Sequence, residues 1–407
     1  MDPTPGPRSD TPAHRGVAAL RLHPAWGVAA VLLIGMNLRP AITSVGPLIG
    51  AIRHDFDLSG LAVGVLTMAP VVCLGLFGPL APPLVRRFGV EAVLFGALLG
   101  IAAGCALRGA GIAPLYLGTV GIGAAMSLLG VLAPVLVKRD FPHRVGLMMG
   151  LYTMAIGFGA ALSTATAVPF ATAFGGSWRW ALMVWGCSAL LAAGALVPQL
   201  AGTVPARIGR QPHRPGLLRS ALAWQVTSFL GLVSSLAYST FAWAPSMLEA
   251  RGLDPVAAGA VVALSYLSQM PSGFLAPVLG GRLRDQRAIA VGTVLLIIAG
   301  LAGYVVAPAW SLPLCSIVLG LGQGGAFGMA LTFIVLRAGD PQVAARLSGL
   351  AQGVGYTLCG VLGPFAVGLI HDAAGWGAVA VWHAALGLAA ILSGLGAGAA
   401  RTIRLAA

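Results

Sequence analysis

The chain has 407 residues, of which 58% are hydrophobic and only 9% carry a charge, and its mean hydropathy is +0.91. Soluble domains carry about 25% charged residues, so this composition excludes a soluble globular protein and indicates a protein embedded in a lipid bilayer. The formal net charge is +13, but the basic residues stand in short clusters between apolar segments, so we expect no nucleic-acid partner.

The chain begins with a polar, proline-rich segment, residues 1–23, which has no apolar core followed by a cleavage site. We interpret it as a cytoplasmic tail rather than a signal peptide. All cysteines lie inside apolar segments without a CxxC motif, so we expect small hydrophobic side chains and neither disulfides nor a metal site. No cofactor is expected. The cysteines are Cys73, Cys105, Cys187, Cys315 and Cys359.

Twelve apolar segments follow, each long enough to cross a bilayer as a helix. The alternating pattern of short barrel strands is absent, so we predict an all-α membrane protein with 12 transmembrane helices. The predicted segments are 26–50, 60–81, 91–109, 113–137, 145–173, 179–200, 219–246, 257–281, 288–306, 311–336, 345–370 and 376–399.

The first segment carries Arg39 near its middle. The side chain lies roughly 16–20 Å from either end of the helix, too far to reach a headgroup. A charge at this depth costs about 2.5–3.5 kcal/mol on insertion scales and normally faces a cavity. Met36 and Thr43 share its helix face, Asn37 lies on the flank, and Pro40 loosens the helix. We therefore predict Arg39 as the central substrate-binding residue; the alternative is a structural arginine bound to helix carbonyls.

Later segments add polar and aromatic candidates for the same site. Tyr238 and Trp243 lie in the seventh segment, although Trp243 also suits the interfacial belt. Gln323 lies among glycines in the tenth and is a ligand candidate, whereas Gln269 in the eighth is expected only to satisfy broken backbone. Phe327, Met36 and Trp243 are predicted to form apolar walls, and Asn37, Thr43, Tyr238 and Gln323 to complete the hydrogen bonds.

Acidic residues are absent from the interior of every predicted segment, since all eleven Asp and Glu residues fall in tails, loops or segment ends. No carboxylate is thus available inside the bilayer to neutralise Arg39, so a proton antiporter that works through a carboxylate relay is not expected. His383 in the twelfth segment is expected to be a core histidine bonded to a carbonyl.

Motifs of the first half recur in the same order in the second, which predicts two six-helix bundles related by pseudo-symmetry. The predicted parts are the first bundle, 24–200, an exposed basic linker, 201–218, the second bundle, 219–400, and a tail, 401–407. The paired motifs are LSGLAVG (58–64) with LDPVAAG (253–259), GTVGIG (118–123) with GLGQGG (320–325), and GLMMG (146–150) with GLAQG (349–353).

This organisation resembles the major facilitator superfamily. In the loop PPLVRRFGVEA (82–92), Arg87 and Gly89 match the superfamily's motif after span 2, but Arg86 stands where an aspartate is expected. The resemblance assigns gating or loop roles to Arg86, Arg87, Arg139 and Arg144. NLRPAITSVGPLI (37–49), QMPSGFLAP (269–277) and LSGLAQGVGYTLCGVLGP (347–364) are similar to the cyanate/nitroimidazole permease branch.

The resemblance implies alternating access, in which two halves rock around a site that spans 1, 4, 7 and 10 line. We expect a monomeric transporter for a small polar or anionic solute such as cyanate or a nitro- or carboxylate-bearing molecule. The alternative is a multidrug-type exporter of neutral nitroheterocycles. A membrane-embedded enzyme is disfavoured, because the sequence has no HExxH, no GxSxG with a triad, and no carboxylate pair in the spans.

The charges of the connections predict the orientation. Of the 24 basic residues, 19 lie on the side of both termini and four on the other, with Arg39 in the bilayer. By the positive-inside rule, both termini are cytoplasmic and the protein lies in the plasma membrane.

Cysteine labelling tests this topology. A cysteine at Ala250 should react with a membrane-impermeant reagent added to whole cells, and one at Gly209 should react only after permeabilisation. The protein without an added cysteine is the control, and the reverse labelling pattern would contradict the orientation.

Overall fold

The computed structural model describes residues 24–200, 216–339 and 341–403. The predicted tail at 1–23, most of the predicted linker at 201–218 and the last four residues of the predicted tail at 401–407 lie outside these ranges. The described residues form helices joined by short connections, with one isolated bridge between Ala338 and Ile403.

The helices make twelve spans, numbered here in chain order. Span 1 is made of Pro24–Met36, Pro40–Thr43, Gly46–Leu48 and Ile49–Phe56, and span 2 of Gly60–Phe77, Gly78–Leu80 and Ala81–Phe88. Spans 3 to 10 are Val90–Leu107, Ile112–Asp140, Val145–Ala173, Trp178–Leu200, Ala221–Glu249, Pro255–Arg282, Arg287–Val306 and Leu312–Leu336. Spans 11 and 12 comprise Pro341–Gly360, Val361–Phe365 and Ala366–Ala397.

The predicted twelve-helix fold is confirmed, with one division that the helix bounds hide. Ten helical stretches of the described residues are long and apolar enough to cross a membrane, and one of them, Val343–Ala397, has 55 residues. Gly375 interrupts this stretch with φ +72°, a backbone conformation that favours glycine, and so separates span 11 from span 12. Span 8, Pro255–Arg282, completes the twelve.

Two long seams join spans 1–6, called the first half, to spans 7–12, called the second half. Span 5 packs against span 8, and span 2 packs against span 11. Close backbone approach at small residues makes these seams tight: a Cβ on Gly75 would lie 2.5 Å from the carbonyl oxygen of Gly353. Spans 1 and 7 also contact each other across the halves.

Each half also has its own apolar core, and a third buried cluster combines both halves at the outer end, opposite the side where span 1 begins. It includes Val45 and Leu66 of the first half and Ala242 and Val367 of the second. Within the second half, spans 8 and 10 pack closely, because Gly320 brings span 10 against the backbone of span 8.

Alanine substitution at Gly320 tests this packing. The added Cβ would lie 2.1 Å from the carbonyl oxygen of Ser265, so the two helices must separate. Gly320→Ala should lower the free energy of unfolding by about 1–3 kcal/mol, the usual cost of overpacking. Gly292→Ala is the matched control, since no atom lies within 4 Å of its ideal Cβ position. Thermal unfolding in detergent measures both, and equal melting temperatures would contradict the packing.

Candidate functional site

Span 1 is interrupted in the middle of the membrane, at the arginine that the sequence singled out. Its first helix ends at Met36 and the next begins at Pro40. Arg39 lies between them as the N-terminal flanking residue of the short second helix, with φ −119° and ψ −28°. Proline lacks an N–H group, so the Met36 carbonyl loses its helical donor and the helix breaks there. Broken helices at this depth are tolerated where they line a cavity or are buried in protein.

Neighbouring spans supply polar partners for this break. The Asn37 side chain is 2% exposed and donates to the carbonyl oxygen of Ser188 in span 6 at 3.3 Å. The Thr43 hydroxyl is fully buried and lies 2.7 Å from the Ser163 hydroxyl of span 5. In this structure both side chains hold the interrupted segment against the first half, and it does not bring them to the accessible surface around Arg39.

A second buried arginine, Arg108, completes the support of the break. It is one of the four basic residues predicted on the side opposite the termini; it lies at that end of span 3 but is only 1% exposed. Its Nη1 donates to the carbonyl oxygen of Ala41 at 2.5 Å, and its Nε donates to the Thr119 hydroxyl at 2.9 Å. The Val45 N–H, which would bond to Ala41 in a regular helix, bonds to the Ile42 carbonyl instead. Arg108 therefore replaces a missing helical donor.

The space beside Arg108 is too small for a solute. The cavity there has a volume of about 20 Å³ and is lined partly by Thr67 and Thr119. That volume holds about one water molecule. This cavity therefore has no room for a solute.

Arg39 itself is only partly buried and makes few strong contacts. Its Nη1 lies 3.5 Å from Oε1 of Gln269 in span 8, and its guanidinium carbon lies 5.1 Å from the centre of the Phe241 ring in span 7. Among the described residues, no carboxylate lies within ion-pair distance of Arg39. The cation thus faces the second half with most of its hydrogen-bonding capacity unused.

Gln269 belongs to a chain of hydrogen bonds that runs into the second half. Its Nε2 donates to Oε1 of Gln323 at 3.1 Å, and Nε2 of Gln323 donates to the Thr240 hydroxyl at 3.0 Å. Gln269, which was expected only to satisfy broken backbone, therefore makes the contact with Arg39. Gln323, the predicted ligand, reaches Arg39 only through Gln269. The sequence did contain a signal for this role of Gln269, because a side-chain amide in the middle of a membrane helix requires a polar partner.

Aromatic rings of the second half lie on the same side of Arg39. Tyr238 meets Phe241 edge-on at 5.1 Å and Tyr356 at 6.5 Å, and Phe241 contacts Tyr266 at 5.0 Å between ring centres. The Phe241 ring in this series is the one that lies beside the Arg39 guanidinium. Tyr238, a predicted ligand, is thus brought to the site as part of a run of rings.

The other predicted wall residues lie in two different environments. Met36 and Phe327 are partly exposed in the middle of spans 1 and 10. Trp243 is 2% exposed, and its Nε1 donates to the carbonyl oxygen of Pro364 at 2.9 Å. Its ring lies 6.3 Å from that of Trp376 in span 12, so the structure includes it in the outer cluster and not in the surroundings of Arg39. His383, expected to bond to a carbonyl, lies 3.0 Å from the Ser239 hydroxyl instead.

The two halves meet at the outer end. Nη2 of Arg53 lies 3.4 Å from Oδ1 of Asp372, and the Gly60 N–H at the start of span 2 donates to Oδ2 at 2.6 Å. At the opposite end, nothing lies within 4 Å of an ideal Cβ on Gly150 of span 5 or Gly349 of span 11. Asp372 therefore joins the two halves at the outer end, whereas the inner ends of spans 5 and 11 leave room beside Gly150 and Gly349.

The four loop arginines of the predicted gating set lie on that inner side. Arg139 at the end of span 4 forms an ion pair at 2.8 Å with the buried Glu91 at the start of span 3. Arg86, Arg87 and Arg144 are exposed. The Arg139 pair joins two spans of the first half, and a role of all four in gating stays a prediction.

Comparisons with known proteins agree with this architecture. The family model described as Major Facilitator Superfamily matches residues 26–364. The chain is 39% identical to the 2-nitroimidazole transporter of Escherichia coli (strain K12) over 383 residues, which cover 93% of this chain and 96% of that one. It is 28% identical to the cyanate transport protein CynX of the same organism over 351 residues, which cover 85% and 90%.

Solved structures share the fold. A crystal structure of a bacterial homolog of the human lysosomal transporter Spinster, in an inward-facing and occupied conformation, matches with a TM-score of 0.69. The match covers 91% of this chain and 94% of that one at 15% sequence identity, and so bears on the fold alone.

Substitution of Asp372 tests the closed outer end. A cysteine at Thr67, which is buried beneath that end, should react slowly with an impermeant reagent added from outside. Asp372→Ala removes the acceptor for both Arg53 and Gly60, so the reaction should become several-fold faster. Asp372→Asn keeps an acceptor oxygen and should have a smaller effect. Asp57→Asn, at an exposed outer carboxylate, is the control; equal rates in all four proteins would contradict the assignment.

Proposed function

Because the chain belongs to the major facilitator superfamily, in the branch of the cyanate and 2-nitroimidazole transporters, we propose that it carries a small planar solute with a nitro or carboxylate group. It is a small-solute membrane transporter and not an enzyme. Arg39 is the central binding residue of the proposal, and alternating access of the two halves is its mechanism. The observation that carries it is a mid-membrane arginine, partly exposed, without a carboxylate partner.

The chemistry of arginine supports an acceptor-bearing solute. A guanidinium stays charged at ordinary pH and presents five N–H donors in a planar fork. Arg39 uses one of them in a contact of 3.5 Å, which is long for a charge-assisted hydrogen bond. An ion kept away from water gains most from a partner that supplies both charge and acceptors. A carboxylate or a small anion such as cyanate supplies both, and a nitro group supplies the acceptors without a net charge.

The series of aromatic rings beside Arg39 supports a planar solute. Tyr356, Tyr238, Phe241 and Tyr266 form a continuous series of rings beside Arg39. Ligand sites of this kind combine apolar and aromatic walls with a few convergent polar groups, and flat rings favour a flat ligand.

The same rings favour a second candidate, a neutral nitroheterocycle, because such a solute gains from ring contacts and needs no net charge. A relative at 39% identity is a 2-nitroimidazole transporter by name, which agrees with this candidate.

The contacts between the halves at the two ends of the molecule support alternating access. The contacts of Asp372 close the outer end, and the seams between the halves consist of small residues that let helices slide and rock. With cytoplasmic termini, as the positive-inside rule indicates, the open side faces the cytoplasm. We place the protein in the plasma membrane as a monomer that needs no cofactor.

Arg39 variants test the site. Arg39→Ala should weaken binding of the best ligand about 10- to 100-fold, since hydrogen bonds to charged groups contribute about 1.5–3 kcal/mol. Arg39→Lys keeps the charge but loses the planar fork, so an intermediate loss is expected. Ligands are found by thermal shifts of the purified protein over a panel of small anions and nitroheterocycles.

Arg284→Ala, which changes an exposed loop arginine, is the matched control and should bind like the wild type. Size-exclusion profiles and melting temperatures establish that each variant is folded. Unchanged affinity in folded Arg39→Ala would contradict the assignment of this residue.

A further inference from the structure

The orientation of the Gln269 amide is fixed by the groups at both ends of its hydrogen-bond chain. Arg39 at one end can only donate, and the Leu236 carbonyl oxygen at the other, which accepts from the Thr240 hydroxyl at 2.8 Å, can only accept. A flip of either glutamine between them would bring two donors face to face. Gln269 therefore presents its oxygen to Arg39, and its nitrogen to Gln323.

The two facing atoms retain hydrogen-bonding capacity. Nη1 of Arg39 and Oε1 of Gln269 are 3.5 Å apart, whereas charge-assisted bonds between nitrogen and oxygen are typically about 2.7–2.9 Å. An amide oxygen accepts two hydrogen bonds, and a guanidinium offers five donors. Both side chains are also partly exposed. The site thus presents a donor and an acceptor side by side, at a spacing that suits two parallel hydrogen bonds to one ligand.

We propose that Gln269 is a specificity-determining residue that selects, together with Arg39, solutes carrying an N–H donor on the atom next to their acceptor group. The inference rests on the proposed function and specifies its substrate class: planar heterocycles in which a ring N–H lies beside a nitro or carboxylate group. An oxygen of that group accepts from Arg39, and the ring N–H donates to Oε1 of Gln269.

The hydrogen bonds behind Gln269 fix which group its amide presents to the solute. Its nitrogen donates to Gln323 and its oxygen accepts from Arg39, so the amide cannot turn to offer a donor without breaking both hydrogen bonds. A ring nitrogen that bears a methyl group in place of hydrogen would leave the Gln269 oxygen facing carbon. A site built to bond a donor discriminates against the analogue that lacks it, because the bound analogue shields the polar atom from water and gives it no hydrogen bond in return.

A pair of probes that differ by one methyl group tests the inference. Dissociation constants of 2-nitroimidazole and 1-methyl-2-nitroimidazole are measured on purified full-length wild type and on Gln269→Leu. The wild type should prefer 2-nitroimidazole by about threefold to tenfold, the contribution of one hydrogen bond. Gln269→Leu should lose this preference while it still binds the methylated probe, because Arg39 and the rings remain.

Two further variants keep the test decisive. Gln352→Leu is the matched control, since Gln352 lies in span 11 and its Nε2 donates to the Ser348 hydroxyl at 2.8 Å; it should keep the wild-type preference. Gln269→Met, which is closer to glutamine in length, replaces the leucine variant if the latter does not purify as a folded protein.

The outcomes separate this inference from the proposed function. Equal affinities for the two probes in the wild type, or a preference that persists in folded Gln269→Leu, would overturn the role of Gln269 and leave the proposed function standing. If the wild type binds neither probe, the assignment of nitro-bearing solutes fails, and the inference fails with it.

Discussion

The site depends on one constraint: a backbone carbonyl released in the middle of a bilayer must find a donor within the protein. The irregular segment after Pro40 leaves the carbonyl of Ala41 without its helical donor, because the Val45 N–H bonds to Ile42, and the first half supplies Arg108, which donates to that carbonyl. Asn37 and Thr43 fasten the same segment to spans 6 and 5. Because these contacts fix the turn from one side, the Arg39 side chain emerges on the other, towards the second half.

The two halves contribute different chemistry to the space between them. The first half supplies a fixed cation on an irregular segment, while the second supplies neutral groups on continuous helices: the amides of Gln269 and Gln323 and the ring run that includes Tyr238. A solute that touches both kinds of group joins the halves directly. Solute binding and the relative position of the halves are thus linked by direct contact, without a longer pathway through the protein.

The sequence was sufficient for features that depend on one helix at a time. Apolar length predicted the twelve spans, and Arg39 followed from its depth in a single segment. It was insufficient where the partner lies far along the chain: Gln269 meets Arg39 across a separation of 230 residues. The burial of Arg108 was missed because its apolar neighbours end beside it, and that of Trp243 because helical spacing gives a face and a height but does not say which helix covers that face.

The lack of a carboxylate beside Arg39 also has an electrical consequence. An empty site carries one uncompensated positive charge, whereas a site loaded with a monovalent anion is neutral. In the proposed mechanism, the membrane voltage therefore acts on reorientation of the empty carrier, by up to about 2.3 kcal/mol per 100 mV if the whole potential falls across the closed end. With a neutral solute, the positive charge of Arg39 is uncompensated both when the loaded carrier reorients and when the empty carrier returns. The net charge moved across the membrane per solute is then zero.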